Sequence, residues 1–200
     1  HEAEPDEYKT TKFKYPVYVH LKGEDLYVNK TTRKYNRNEF HEHPERYECL
    51  FKNYFSETDV LLNGIYWETK MPRLFELDDM KNENFRIKTI ADITDDKAGS
   101  VPINLGDNTM EDPVYGVDRF TGKQTAPYLK NSIDIMAVGN LPNELPRDAS
   151  RYFGEQILKY IFDDLISGGS KIIENATIVK HGKLTDGYGY MKKYAGLIHD

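Results

Sequence analysis

Two stretches of the sequence decide the fold: VLLNGIYW at residues 60–67 and IKTIADIT at residues 87–94. Both are short apolar runs, and both are followed or interrupted by small and polar residues. Runs of this kind are typical of strands that are buried on both faces in the centre of a parallel sheet. We therefore predict two central strands here.

The segment between the two runs indicates how they are connected. It contains PRLFELDDMKN, which starts at Pro72 and has Leu74, Leu77 and Met80 at spacings of three, so it predicts a short helix. Strand, helix and strand with short links form a βαβ unit, in which the two strands are parallel. A third apolar run, IDIMAVGNLP at residues 133–142, predicts another strand of the same sheet.

The flanking sequence predicts further elements. Upstream, alternation in PVYVHLKGEDLYV predicts a hairpin that turns at Gly23, and apolar spacing predicts a helix near residues 38–55 with Pro44 in its early part. Downstream, ASRYFGEQILKYIFDDLI at residues 149–166 is the longest helical pattern and stops at Gly168-Gly169. A short apolar piece, a turn and a terminal helix are expected after it. The fold class is therefore α/β.

Composition excludes several classes of protein. The 200 residues carry 27 basic and 33 acidic side chains, so the net charge of −6 gives no support for a nucleic-acid partner. No apolar run approaches the roughly 18 residues that span a membrane, so no membrane partner is expected. A single cysteine, Cys49, excludes an internal disulfide and suits a reducing compartment. We expect a soluble intracellular protein.

The predicted strands end in residues that could bind a ligand. In an open parallel sheet, ligands lie beyond the carboxyl ends of the strands. Glycines there let the backbone approach a ligand, an asparagine offers a donor and an acceptor, and an aspartate can hold a ribose hydroxyl or a substrate ammonium. The alternative is that these residues only form turns and cap the next elements. The three strand ends are Asn63-Gly64, Asp95-Asp96 and Gly139-Asn140.

Three other patterns in the sequence are weaker. His41-Glu42-His43 suggests a metal site, but helical spacing turns the two imidazoles about 200° apart, so a solvated helix start is favoured. The segment at 187–189, Gly-Tyr-Gly, lacks the third glycine of a dinucleotide-binding turn and is interpreted as a flexible loop. Cys49 is interpreted as a small helix or core residue.

Five ordered motifs resemble one enzyme family. They are HPERY (43–47), NGIYW (63–67) with Pro-Arg-Leu after it (72–74), ADITDDKAGS (91–100), NLPNELPRDAS (140–150) and NATIVKHGKLTDGYGYMKKY (175–194). Together they resemble the lysine–ketoglutarate reductase region of aminoadipic semialdehyde synthase. This region is a lysine-forming saccharopine dehydrogenase, related to alanine dehydrogenase and to the first subunit of nicotinamide nucleotide transhydrogenase.

The resemblance implies an architecture. Residues 13–142 would form the later half of a Rossmann-type dinucleotide-binding domain, and residues 143–200 a long helix and segment that return to the substrate domain. The glycine-rich turn and the proton-transfer lysine and histidine of the family would lie in the N-terminal half of the same enzyme. That half is therefore an expected partner, in cis or in trans, and a homo-oligomer is left open.

The resemblance also assigns roles to residues. Asp96 matches the catalytic aspartate beside the nicotinamide ribose and the reacting carbon. The cofactor, NAD or NADP, would be contacted at the three strand ends by Leu62, Asn63, Gly64, Ile93, Val138, Asn140 and Leu141. The implied substrates are an amino acid and a 2-oxo acid, and the implied reaction transfers hydride at the C–N bond between them.

One position departs from the family pattern. Lysine-forming relatives commonly have an aspartate just before Asn-Leu-Pro, where this chain has Gly139, whereas alanine dehydrogenases have a small residue there. Lysine as the substrate is therefore open, and an alanine dehydrogenase-like enzyme is one alternative. A non-catalytic assembly domain is the other. The compartment is expected to be the cytoplasm, with the mitochondrial matrix as the alternative.

Overall fold

The computed structural model describes residues 1–106 and 108–197. The chain divides into two compact units, His1–Gly139 and Asn140–Asp200. The first unit contains the predicted parallel strands, and the second contains the long predicted helix.

The first unit begins with short elements that differ from the sequence-based expectation. In chain order they are helix α1 (Pro5–Thr10), helix α2 (Gly23–Leu26), strand β1 (Tyr27–Asn29), helix α3 (Arg37–Glu42) and strand β2 (Tyr47–Cys49). The predicted hairpin at Gly23 is wrong, because α2 begins there and β1 pairs antiparallel with β2 instead. The predicted helix at 38–55 is wrong beyond Glu42. Pro44, which cannot donate a backbone hydrogen bond, begins a separate 3-10 helix there.

A five-stranded mixed sheet forms the body of the first unit. Its strands are β3 (Val60–Asn63), β4 (Thr89–Asp92), β5 (Val114–Asp118), β6 (Gln124–Thr125) and β7 (Ser132–Met136), in the order β3-β4-β7-β5-β6. The three predicted strands, β3, β4 and β7, are confirmed and are parallel neighbours. Strands β5 and β6 were not predicted, and β5 is antiparallel to both of its neighbours.

The connection between β3 and β4 contains a 3-10 helix, Asp79–Lys81, rather than the predicted α-helix. Leu74 and Met80 are buried there, but Leu77 is exposed, so the three leucine and methionine side chains do not form one helical face. A well-packed loop therefore links these two parallel strands.

Strand β3 lies at the edge of the sheet, so its predicted central position is wrong. The side chains of Leu61 and Asn63 are buried, whereas those of Val60 and Leu62 are 57% and 69% exposed. This alternation is typical of a strand with one solvent-facing side.

The core lies against the opposite face of the sheet. Ile90 and Ile135 are fully buried at its centre, and aromatic side chains from the loops pack beneath them. The rings of Phe55 and Phe85, for example, are 4.8 Å apart in an edge-to-face arrangement. The core therefore holds the buried ends of β3, β4 and β7 in place.

The second unit consists of short elements around one long helix. These are α4 (Pro146–Tyr160), α5 (Phe162–Ile166), α6 (Lys171–Ala176) and a small hairpin, β8 (Val179–Lys180) with β9 (Lys183–Leu184). The helix predicted at 149–166 is confirmed only as far as Tyr160, because Ile161 leaves the helical conformation with φ of −127° and the remainder forms the separate helix α5. Gly168 and Gly169 follow α5 with φ of +99° and +116°, as expected for a helix stop. The predicted loop at 187–189 is wrong, because these residues lie in a 3-10 helix, Asp186–Met191. None of the unit's described residues is buried.

Candidate functional site

The carboxyl ends of β3, β4 and β7 lie side by side at one edge of the sheet. Leu62 is in register with Ala91, and Ala91 with Met136. Just beyond this row, the backbone amide of Ile93 donates a hydrogen bond to the Asn63 carbonyl at 2.8 Å. This bond holds the segment that follows β4 against the end of β3. The first unit therefore presents three parallel strand ends in line, which is the arrangement that positions a ligand in open α/β sheets.

A buried polar network supports these strand ends from below. The Asp92 carboxylate is 2% exposed and accepts three hydrogen bonds from side chains. The donors are the side-chain amide of Asn63 at 2.8 Å, the hydroxyl of Thr94 at 2.7 Å and the side-chain amide of Asn104 at 2.9 Å. The Asn63 amide also donates to the Ser100 hydroxyl at 2.8 Å. Because buried polar groups are costly unless they are paired, this network fixes the loop that follows β4 against the sheet.

The loop after β4, residues 93–106, adopts an unusual backbone. Asp95 and Ala98 have φ of +52° and +49°, a region in which residues with a Cβ cost about 1–3 kcal/mol each. Gly99 approaches so closely that a Cβ there would lie 2.5 Å from the Asp96 Cβ. Backbone strain of this kind concentrates at functional sites, where the surrounding structure holds it in place.

Arg73 anchors this loop from outside the sheet. Its guanidinium donates to the Ala98 carbonyl at 3.1 Å, pairs with the Glu76 carboxylate at 3.2 Å and lies 5.9 Å from the Trp67 ring centroid. Trp67 belongs to the motif NGIYW, Arg73 to Pro-Arg-Leu and Ala98 to ADITDDKAGS. Arg73 therefore brings these three motifs into contact. The loop that carries Asp96 is thus tied to the sheet and to the β3–β4 connection.

A cavity of about 650 Å³ opens beside the same loop and was not predicted from the sequence. It is lined by Asp95, Lys97, Leu105, Gly106, Asn108, Tyr115 and Gln124. The Tyr115 hydroxyl accepts a hydrogen bond from the Leu105 amide at 2.8 Å, and burial raises the pKa of this phenol. Tyr115 and Gln124 lie on β5 and β6, the two strands that were not predicted, so no sequence pattern indicated this cavity.

The predicted site residues fall into three groups. Leu62, Gly64, Ile93 and Asp96 are exposed at the strand ends. Asn63 and Val138 are buried, at 1% and 5% exposure, and the Asn63 side chain is engaged in the polar network. Asn140 and Leu141 are the first two residues of the second unit, where Asn140 has φ of +54° and Leu141 begins a 3-10 helix, Leu141–Glu144.

The remaining sequence hypotheses concern a metal site, a membrane-spanning helix and Cys49. Within residues 1–106 and 108–197, no three His, Cys, Asp or Glu side chains are grouped so that they could hold a metal ion, and this includes His41-Glu42-His43. Over the same residues, no helix combines the length and apolarity that a membrane crossing needs. Cys49 lies in β2, and burial raises the pKa of its thiol to about 11.

Three parallel strand ends beside a strained, anchored loop, in a mixed α/β sheet, are consistent with a Rossmann-like fold. Comparison with known proteins then identifies its relatives. The chain is 29% identical over 195 residues to alpha-aminoadipic semialdehyde synthase, mitochondrial, of Mus musculus. The match covers 83% of this chain and 21% of that protein. It is 30% identical to alpha-aminoadipic semialdehyde synthase of Arabidopsis thaliana over 198 residues, covering 92% of this chain and 18% of that protein.

A second group of relatives is more distant. Saccharopine dehydrogenase [NAD(+), L-lysine-forming] of Emericella nidulans is 24% identical over 111 residues, covering 54% of this chain and 28% of that protein. No family model matches the chain. The resemblance stated from the sequence motifs is thus confirmed: the chain is homologous to both kinds of enzyme. It spans about a fifth of the length of the aminoadipic semialdehyde synthases that it matches.

Proposed function

We propose that this chain is part of a nicotinamide-dependent oxidoreductase of the saccharopine dehydrogenase type, which acts in lysine metabolism on the C–N bond between an amino acid and a 2-oxo acid. The observation that carries the proposal is the alignment of three parallel strand ends beside the loop that bears Asp96. Homology to saccharopine dehydrogenases supports it. NAD and NADP are both compatible with the residues of this chain.

We place the later half of a Rossmann-type domain in residues 13–142 and the segment that returns to the substrate domain in residues 143–200. The division of the structure after Gly139, close to this boundary, supports that proposal. The N-terminal half of the same enzyme, in cis or in trans, would supply the glycine-rich turn and the proton-transfer groups. A homo-oligomer is compatible with this arrangement, as is residence in the cytoplasm or the mitochondrial matrix.

The residues at the strand ends fit a nicotinamide nucleotide. Nothing lies within 4 Å of a Cβ built on Gly64, so the backbone there is open to a ligand. Leu62 and Ile93 expose apolar side chains, and Asp96 exposes a carboxylate. A flat ring beside apolar side chains and a ribose hydroxyl donating to a carboxylate use both kinds of surface. Val138, Asn140 and Leu141 are the proposed contacts at the third strand end.

Each residue has a distinct proposed task. The nicotinamide supplies or accepts the hydride when it is bound. Asp96 binds a ribose hydroxyl or a substrate ammonium, and Leu62 and Ile93 exclude water from the ring. Asn63, whose side chain is committed to Asp92 and Ser100, positions the loop and contacts the cofactor only through its backbone. Holding two reacting groups in line in this way can lower the activation barrier by several kcal/mol.

The amino-acid substrate is a separate question because of Gly139. A missing carboxylate at that position would remove a charged hydrogen bond of about 1.5–3 kcal/mol to a substrate amine. Lysine plus 2-oxoglutarate should be compared with pyruvate plus ammonia as substrates of the complete enzyme. Faster turnover of the first pair supports the saccharopine dehydrogenase type, and faster turnover of the second supports an alanine dehydrogenase-like enzyme.

A second candidate function is a non-catalytic assembly domain. The open edge of β3 favours it, because an unpaired strand must be covered or it promotes aggregation. Size-exclusion chromatography with light scattering tests this candidate. A chain that remains a stable monomer, both alone and when mixed with the rest of the enzyme, would contradict it.

Titration with NADH and NADPH tests the leading proposal. The 200-residue chain alone should bind either nucleotide only weakly, because it has no glycine-rich phosphate-binding turn, whereas the complete enzyme should bind one of them tightly. Asp96→Asn should weaken that binding. Asp6→Asn, on a fully exposed side chain of α1, is the matched control and should leave it unchanged. A complete enzyme that binds neither nucleotide would refute the proposal.

A further inference from the structure

Basic residues border the edge of the sheet that lies opposite the candidate site. Lys88 directly precedes β4, Lys130 lies two residues before β7, and Arg119 directly follows β5. Because β5 is antiparallel to β7, with Asp118 in register with Ser132, the end of β5 lies beside the beginning of β7. Three neighbouring strands therefore bring three positive charges to the same edge of the sheet.

A cavity of about 330 Å³ opens at this edge, and these three basic residues line it together with Arg86. Ser56 and Asn84 also line it and provide an uncharged hydroxyl and an uncharged amide. Small-molecule sites span about 300–1,000 Å³, so this cavity is at the lower end of that range. It therefore suits a ligand much smaller than a dinucleotide.

Hydrogen bonds between backbone segments fix the walls of this cavity. The Lys88 amide donates to the Asp59 carbonyl at 3.0 Å, and the Lys88 carbonyl accepts from the Asp134 amide at 2.8 Å. The Arg86 amide donates to the Phe55 carbonyl at 3.0 Å. The backbone that carries these basic residues is therefore already ordered, which lowers the entropy cost of binding a ligand there.

Arg119 gives the cavity a positive charge that no carboxylate neutralises. Its half-buried guanidinium donates to the carbonyls of Met80 at 2.7 Å, Asn82 at 3.0 Å and Phe85 at 3.1 Å. Within residues 1–106 and 108–197, Arg119 forms no ion pair. Carbonyl groups stabilise the guanidinium but carry no net charge, so the field of this cation persists in the cavity.

The carboxylates near the cavity do not balance its positive charges. Glu83 lines the cavity, and the Asp59 carboxylate pairs with Arg86 at 2.7 Å. Four basic side chains are set against these two carboxylates, which leaves a surplus of two positive charges. Asp118 and Asp134 are not part of the lining, and backbone amides and hydroxyls donate to both of them. The surplus is opposite in sign to the net charge of the chain, −6.

We propose that this cavity binds a small phosphate monoester as its dianion. In the described part of the chain, the ammonium groups of Lys88 and Lys130 have no partner, so they can donate to a ligand. The two arginines are committed to carbonyls and to Asp59, which disfavours the planar pairing that a carboxylate prefers. Phosphate has three oxygens that accept from several directions, which suits ammonium, hydroxyl and amide donors around one cavity. This site goes beyond the oxidoreductase proposal and does not depend on it.

Larger anionic partners fit the cavity less well. The net charge of −6 repels an extended polyanion, whereas a small ligand experiences mainly the local positive charge. A phosphorylated segment of another protein would place only its phosphate in the cavity and most of its length outside. A small molecule is therefore the better fit, and a phosphopeptide is the alternative to be tested.

Titration of the ¹⁵N-labelled chain with sodium phosphate at pH 7.5 tests the site. The amides of Ser56, Lys88 and Lys130 should shift along one binding curve, with a dissociation constant of roughly 1 mM or below. Glycerol phosphate should bind at least as tightly as inorganic phosphate. The amides of Gly64 and Asp96, at the opposite edge, should not respond. Sodium chloride at the same ionic strength is the control for screening and should not produce these shifts.

Substitution of the lysines tests whether their charges are responsible for binding. Lys88→Gln and Lys130→Gln should each weaken phosphate binding at least about threefold, and the double variant at least about tenfold. Lys70→Gln, at an exposed position of the β3–β4 connection, is the matched control and should change the affinity less than about twofold. All three lysines are exposed, so every variant should melt within a few degrees of the wild type.

Three results would overturn the existence of the site: no saturable shifts with phosphate, the same shifts with sodium chloride, or equal losses of affinity in the Lys70→Gln and Lys88→Gln variants. Two results would overturn the choice of ligand. One is succinate binding at least as tightly as phosphate, and the other is a phosphoserine peptide binding at least about tenfold more tightly than glycerol phosphate. NADH binding is measured separately at Gly64 and Asp96, so the oxidoreductase proposal and this one can fail independently.

Discussion

The buried carboxylate of Asp92 should be essential for the stability of the first unit, and Asp92→Asn is the sharpest perturbation of it. The substitution keeps the shape of the side chain but replaces one acceptor oxygen by an NH₂ group. All three partners of Asp92 are donors: the amides of Asn63 and Asn104 and the hydroxyl of Thr94. Any rotamer of the new amide therefore sets an NH₂ group against a donor.

The size of the effect follows from these contacts. In the better orientation, the remaining oxygen faces Asn63 and Thr94, and the new NH₂ faces the Asn104 amide, which was 2.9 Å from the carboxylate. One hydrogen bond to a charged group, about 1.5–3 kcal/mol, is lost, and two donors are left unpaired in a buried site. The lower desolvation cost of a neutral amide offsets part of this loss. We expect a decrease of about 2–4 kcal/mol in the free energy of unfolding.

Urea denaturation followed by fluorescence is the appropriate assay, because Trp67 is the only tryptophan and lies in the first unit. With a slope of about 2 kcal/mol per molar urea, in the middle of the typical range, the midpoint should fall by roughly 1–2 M. Asp96→Asn, the same change at an exposed position of the loop that follows β4, is the matched control and should cost less than about 0.5 kcal/mol. Equal midpoints for Asp92→Asn and the wild type would refute the reasoning.

Four further predictions concern other parts of the first unit. Gly99→Ala should lower the melting temperature by several degrees, because its Cβ would clash with the Asp96 loop, and an unchanged transition would contradict the described loop. Cys49 should react with iodoacetamide at pH 8 at least about tenfold more slowly in the native chain than in urea, because burial raises its thiol pKa to about 11 and keeps it protonated; equal rates would show that it is accessible. Raising the pH from about 8.5 through 11 should also reduce stability, because the unfolded thiol ionises first. Arg119→Met should cost about 1–3 kcal/mol in urea denaturation, because the guanidinium donates to three loop carbonyls, and Arg119→Lys should recover less than half of that.

Continuous apolar runs were sufficient to predict β3, β4 and β7 from the sequence, because such a run identifies a strand without reference to the residues on either side of it. The same signal placed β3 at the centre of the sheet, although half of its side chains are exposed. Hydrophobicity alone reports that a strand has an apolar face to bury. It does not report whether a neighbouring strand is present.

The other errors arose where local geometry outweighed periodicity. Aromatic residues at 40, 47, 51 and 54 have helical spacing, but Pro44 interrupts the backbone, and β2 forms after it. Strand β6 consists of two polar residues and follows a turn that contains Gly122 with φ of +68°. Strand β5, Val-Tyr-Gly-Val-Asp, has only a four-residue apolar run that a glycine interrupts. The predicted strand ends led to Asp96, but not to the Asp92 network, because burial of a carboxylate depends on partners that are distant in sequence.

Titration of the ¹⁵N-labelled chain with millimolar NADH, followed by amide chemical shifts, tests the central claim most directly. The account predicts that the amides of Gly64, Ile93 and Asp96 shift together along one binding curve. Shifts confined to the amino ends of the strands, at Val60 and Thr89, or no shifts at any of these amides, would contradict it.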